Sequence, residues 1–100
     1  MNANRELEGV IETLKSLEEQ IRKEYKAEVI GVFGSYARGE QRESSDLDIL
    51  VKFHKGATLF DLVGLGDFLE EKLNTKVDIV PVDTIRQEIK EQVLKEAVYL

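Results

Sequence analysis

A chain of 100 residues with 42% hydrophobic and 34% charged residues has material for one modest core, and about 65% of its surface is expected to be buried on folding. The absence of cysteine excludes disulfides and thiolate metal sites, and neither an apolar run near the length of a membrane span nor a basic-then-apolar leader over Met1 to Val10 is present, so a single cytoplasmic domain over residues 1–100 with no membrane contact is expected. A net charge of -6 disfavours direct binding to nucleic acid, which needs a cationic surface to release counterions, and suits a basic partner instead.

Along the chain, Leu7, Val10, Ile11, Leu14, Leu17 and Ile21 recur at steps of three and four, which predicts an amphipathic helix over residues 4 to 25 that covers a sheet. Val29 to Phe33 is a short apolar run and reads as a buried strand delivering the turn Gly34-Ser35-Tyr36-Ala37-Arg38-Gly39. A Gly-Ser turn at the mouth of a helix offers an anion backbone N–H groups, a hydroxyl and the helix dipole, which suits a triphosphate. Ser45-Asp46-Leu47-Asp48 follows, leading into a second strand with Leu47, Ile49, Val51 and Phe53 on one face and Asp46, Asp48, Leu50 and Lys52 on the other. Aspartates at i and i+2 have Cβ atoms about 7 Å apart on one face, within reach of one or two hard cations such as Mg²⁺. If the two strands pair antiparallel, the end of the first lies beside the start of the second, and the phosphate turn meets the carboxylates.

Thr58 with Asp61 resembles a capping box, opening a helix with Leu59, Leu62, Val63, Leu69 and Leu73 as its stripe. Gly64 and Gly66 in it mark either a close backbone approach or a bend. Lys76 to Pro81 is an apolar strand interrupted by Asp78, a position that fits either a solvent-facing strand residue or a third member of an acidic site; a divalent ion would favour three ionised carboxylates that otherwise repel one another. Pro81 ends that strand, and Ile85, Ile89, Val93 and Ala97 predict a last helix. Phe60, Leu65 and Phe68 fall off the middle helix's stripe and read as a broad core, while Leu94, Val98, Tyr99 and Leu100 thicken the last helix and point to a partner interface. His54, the only histidine, follows the second strand as a surface or loop residue.

The joined pattern, Gly-Ser-x-Ala-Arg-Gly, five residues, Ser-Asp-x-Asp-x-x-Val and an aspartate in a later apolar strand, resembles the nucleotidyltransferase superfamily related to DNA polymerase beta, strongly over residues 29 to 80. More narrowly it resembles the minimal nucleotidyltransferases, antitoxin partners of HEPN-domain toxins. The resemblance implies an α+β, two-layer fold in which a small mixed or antiparallel sheet of three to four strands is flanked by helices. It also implies Mg²⁺-dependent transfer of AMP from ATP to a hydroxyl, in particular a tyrosine, of a HEPN toxin, with release of pyrophosphate and a hetero-oligomer as the setting.

Carried onto this chain, the resemblance gives Gly34 and Ser35 the β and γ phosphates, Asp46 and Asp48 two Mg²⁺ ions, and Asp78 either the catalytic metal or the base. Arg38 is assigned a phosphate oxygen, against a salt bridge to Glu40 or Glu43; Ser45 orients the loop before Asp46, and Gly39 serves a backbone turn. Only about twenty residues follow Asp78, too few for a second domain that presents the acceptor, so the acceptor is expected from a partner. Two other readings stand: an antitoxin that acts by stoichiometric binding alone, and modification of a small molecule with a separate helical subunit.

Overall fold

The computed structural model describes residues 3–42 and 44–100, with side chains from Glu6 onward. In chain order the elements are α1 (Ala3–Tyr25), β1 (Ala27–Phe33), α2 (Ser35–Arg38), β2 (Leu47–Phe53), α3 (Leu59–Leu73), β3 (Val77–Pro81), a 3₁₀ turn (Val82–Thr84), α4 (Gln87–Glu96) and β4 (Val98–Tyr99). The four strands form one mixed sheet in the order β3-β2-β1-β4. β1 runs antiparallel to β2 and β4, and β2 parallel to β3 through the α3 crossover. This is the two-layer α+β arrangement expected, with helices against one face of a four-stranded sheet.

The core lies between that face and the helices. Leu7, Leu14 and Ile21 of α1 and Leu65 and Leu69 of α3 pack against Val29, Val32, Leu47, Ile49, Val51 and Ile79. The stripe of α1 is as its periodicity predicts. The stripe of α3 is so only in part: Leu62, Leu69 and Leu73 pack on the core, but Leu59 and Val63 are exposed; of the three residues read as a broad core, Leu65 is fully buried and Phe68 packs on the core, while Phe60 is exposed. The helix carries apolar residues on two overlapping faces, and the sheet takes the one running through Leu62, Leu65, Leu69 and Leu73. Its start is as expected, with the Asp61 carboxylate accepting the Thr58 backbone N–H at 2.8 Å. Gly64 resolves as a close approach: a Cβ there would stand 3.1 Å from Cε1 of Tyr25 on α1.

Two features of β1 were not expected. The register with β2 shifts between Val29 and Gly31, leaving Ile30 as a bulge, so Val29 and Val32 both face the helices while Gly31 and Phe33 turn to the other face. Because side chains alternate along a strand, one extra residue exchanges the faces of everything beyond it. The second feature is β4. Val98 and Tyr99 do not extend the last helix; they pair with Val32 and Gly31, and the Leu100 N–H donates to the bulged Ile30 carbonyl at 3.1 Å. That pairing depends on the missing side chain at Gly31, where a Cβ would lie 2.4 Å from the Val98 carbonyl oxygen. Gly31→Ala is therefore expected to detach β4 and destabilise the fold by about 1–3 kcal/mol, read as faster amide exchange at Leu100 and a lower melting temperature; unchanged exchange would refute the close approach.

Candidate nucleotidyl-transfer site

The bulge sets the site. Beyond it β1 continues to Phe33, which pairs with Asp48 at the start of β2, and Asp48 in turn pairs with Asp78 on β3. Paired positions on neighbouring strands share a face, so Asp48 and Asp78 project together on the face away from α1 and α3, and Asp46, two residues before Asp48, shares their side. The end of β1 thus meets the starts of β2 and β3. Asp78 is exposed, as the solvent-facing reading has it, and it lies in register with Asp48.

Gly34 makes the turn out of β1 with φ 77° and ψ -151°, a region open almost only to glycine. It also lies against the carboxylates, since a Cβ at Gly34 would stand 2.2 Å from Asp48 Oδ2. The helix that follows, α2, is a single turn, closed by the Arg38 N–H donating to Gly34 O at 3.1 Å and ended by Gly39 in the left-handed conformation at φ 71°. This corrects the expectation of a helix dipole behind the phosphate turn. Four residues sum to little macrodipole, so any anion would be held by the local first-turn N–H groups and the Ser35 hydroxyl.

The loop from α2 to β2 is tied down on both sides. The Gln41 side-chain amide donates to Glu6 Oε2 of α1 at 2.7 Å, and Ser45 Oγ accepts the Arg42 N–H at 2.8 Å, which is the orienting role expected of Ser45. The start of β3 is fixed by Glu70 of α3, whose carboxylate accepts the Val77 N–H at 3.0 Å, and by the Leu47 N–H donating to Lys76 O at 2.8 Å. Neither the Gln41 nor the Glu70 tie was expected from the sequence. Arg38 forms the ion pair anticipated with Glu40, Nε to Oε1 at 2.8 Å, on the surface; Glu43, the other partner considered, lies outside the described residues. His54 stands in the loop after β2, its Nε2 3.9 Å from Glu28 Oε2, away from the carboxylates.

Asp48 is the electrostatic centre of the group. Partial burial raises its pKa above the ordinary carboxylate value, the negative charges of Asp78 and Asp46 raise it further, and Arg38 opposes them. Among the described residues no three His, Cys, Asp or Glu side chains stand assembled as an ion cage. The donors are of the hard type that Mg²⁺ takes: Asp48 and Asp78 stand in register, the charge of Asp46 acts on Asp48, and partly buried Asp48 lies against the Gly34 turn. A hollow of about 490 Å³ lies behind the turn, lined by Glu6, Val10, Thr13, Tyr36, Lys72 and Asn74, rather than over the carboxylates.

Among the described residues no helix is long and apolar enough to cross a membrane. The family profile described as nucleotidyltransferase domain matches residues 14–100. The protein adenylyltransferase MntA of Thermococcus cleftensis is 38% identical over 94 residues, covering 94% of this chain and 95% of that protein. A Methanocaldococcus jannaschii chain assigned as a protein adenylyltransferase is 51% identical over 67 residues, 67% of this chain and 72% of its own length. A solved structure assigned to the minimal nucleotidyltransferases superposes with a TM-score of 0.73 at 44% identity, covering 89% of this chain and 94% of that one. A toxin-antitoxin crystal structure with AMP-PNP contains a chain that superposes with a TM-score of 0.65 at 25% identity, over 81% of this chain and 67% of that one.

Proposed function

The chain belongs to the nucleotidyltransferase domain family, and from that premise we propose that it is an antitoxin that transfers AMP from ATP to a hydroxyl of a partner toxin, releasing pyrophosphate. The observation that carries the reading is the register that stacks the Gly34 turn on Asp48 and Asp48 on Asp78. An anion-binding turn in contact with clustered carboxylates makes chemical sense when a triphosphate and divalent cations bind between them. Support for the protein acceptor comes from the adenylyltransferase relatives and from the toxin-antitoxin neighbour. The HEPN type of toxin and a tyrosine acceptor follow the motif resemblance.

In this reading the Gly34 and Ser35 N–H groups and the Ser35 hydroxyl donate to the β and γ phosphates. Arg38 exchanges its exposed pair with Glu40, which holds it only weakly, for a phosphate oxygen, where a guanidinium binds in a bidentate fork. Asp46, Asp48 and Asp78 would hold two Mg²⁺ ions, which when bound supply positive charge to the triphosphate. The acceptor oxygen forms a bond to the α-phosphorus as the bond to the bridging oxygen of pyrophosphate breaks, and the hydroxyl proton passes to Asp78 where that carboxylate serves as the base, or to water where it serves as a metal ligand. The carboxylates stand on an open sheet rim, so the acceptor is oriented by the partner that carries it.

The reading is tested by pyrophosphate release when the chain, ATP, Mg²⁺ and the toxin are mixed; release that needs all four supports it, and none in a stable complex opposes it. Ser35→Ala is expected to weaken ATP binding by about 1–3 kcal/mol through loss of a charge-assisted hydrogen bond, measured by calorimetry. Unchanged affinity would remove Ser35 from the phosphate site, and equal affinity in chelator would contradict the metal reading.

A further inference from the structure

The outer side of α3 exposes three apolar residues together: Leu59 at 73%, Phe60 at 88% and Val63 at 53%. Single exposed apolar residues are ordinary, but adjacent ones on one helical turn, including an almost bare phenylalanine, form a contiguous patch of the kind that marks a contact site. The next positions along the same side change character. At Gly64 the ring of Tyr25 closes in from α1, tilted against Phe68 at a centroid distance of 5.3 Å, and Lys72 lies 5.6 Å over the Phe68 ring. Around the Tyr25 hydroxyl gather Glu24, Asp67 and Glu71, whose negative charges add to burial in raising its pKa. α3 therefore presents an apolar first turn and, further along, an aromatic notch with Lys72 over it and the carboxylates of Asp67 and Glu71, beside which the end of α1 sets Glu24.

We propose that this face docks an amphipathic helix of a partner protein, with the helix's apolar stripe on Leu59, Phe60 and Val63 and its lysine or arginine side chains, one to two turns further along, on Glu24, Asp67 and Glu71. The apolar anchor supplies the contact and the acidic end fixes its direction, the division of labour seen where helices lie on apolar faces. A lipid surface is disfavoured, because a chain of net charge -6 with carboxylates on the docking face is repelled by anionic headgroups. β2 begins at Asp48's end and α3 begins beyond its other end, so a helix seated on the first turn of α3 leaves the carboxylates of the transfer site open. The inference does not depend on the transfer reading.

The test uses a synthetic amphipathic helix of about twenty residues with a leucine stripe bordered by lysine, and its twin bordered by glutamate. Anisotropy titrations are expected to give micromolar binding of the lysine peptide, and binding weaker by about ten-fold or more for the glutamate peptide, for Phe60→Asp and for Asp67→Lys. Amide shifts should be confined to α3 and the end of α1, and an unchanged circular dichroism melt checks that the exposed substitutions leave the fold intact. No binding, equal binding of both peptides, or indifference to Phe60→Asp overturns the proposal. Self-association that Phe60→Asp abolishes, measured by sedimentation, also overturns it and assigns the face to a second copy of the chain.

Discussion

Asp48→Asn is expected to abolish AMP transfer while leaving the metal-free protein as stable as before or more so. On the chemical side the change removes the carboxylate that both the Gly34 turn and Asp78 adjoin, so a loss of about 10³-fold in rate or more follows if it holds charge against the triphosphate. On the stability side the sign is opposite. Burial and the neighbouring charges of Asp78 and Asp46 raise the Asp48 pKa in the fold, so the ionised form is disfavoured there relative to the unfolded chain. The resulting penalty is fully present above the raised folded pKa, shrinks as pH falls through it, and vanishes below the unfolded value of about 3.9. In chelator the variant should therefore melt at or above the parent at neutral pH, and the two melting curves should converge as the pH approaches about 4. A variant that unfolds at neutral pH would make Asp48 a structural residue; one that retains transfer would remove it from the chemistry.

Gly34→Ala is expected to damage the same site from the other side. The backbone at φ 77° and ψ -151° is nearly closed to residues with a Cβ, which alone costs about 1–3 kcal/mol. The added methyl also enters the space of Asp48 Oδ2, which would lie 2.2 Å from it, and the carboxylate or the turn must move. Both relaxations separate the anion-binding turn from the carboxylates, so ATP affinity should fall by about ten-fold or more alongside the lower melting temperature. Thermal melts and ATP titration read the two effects separately. Parent-like ATP affinity in a strained but folded variant would show that the turn does not hold the phosphates.

Much of this arrangement is legible in the sequence because it is local. Gly34-Ser35, Asp46-x-Asp48 and Asp78 each sit at or next to a strand end, and antiparallel pairing of the consecutive strands β1 and β2 sets the end of one beside the start of the other. The Thr58 and Asp61 pair announces α3 by the same kind of short-range chemistry. The bulge at Ile30 is different: an apolar run of Val, Ile, Gly, Val and Phe offers no signal for an extra residue, which only cross-strand register reveals. β4 was hidden because Val98 and Tyr99 directly follow the four-residue spacing that runs to Ala97 and read as a thickening of that helix, and what pulls them out of it is the edge of β1 beside Gly31. The choice between the two apolar faces of α3 is likewise tertiary. Periodicity finds both; the sheet buries Leu65 and Leu69 and leaves Phe60 outside.

The central claim is most directly tested by intact mass spectrometry of the toxin partner after incubation with this chain, ATP and Mg²⁺, beside an Asp46→Ala control. A mass gain in whole AMP units that the control lacks is the predicted result. An unchanged mass in a stable complex that still silences the toxin would contradict it and make the chain an inhibitor by binding alone.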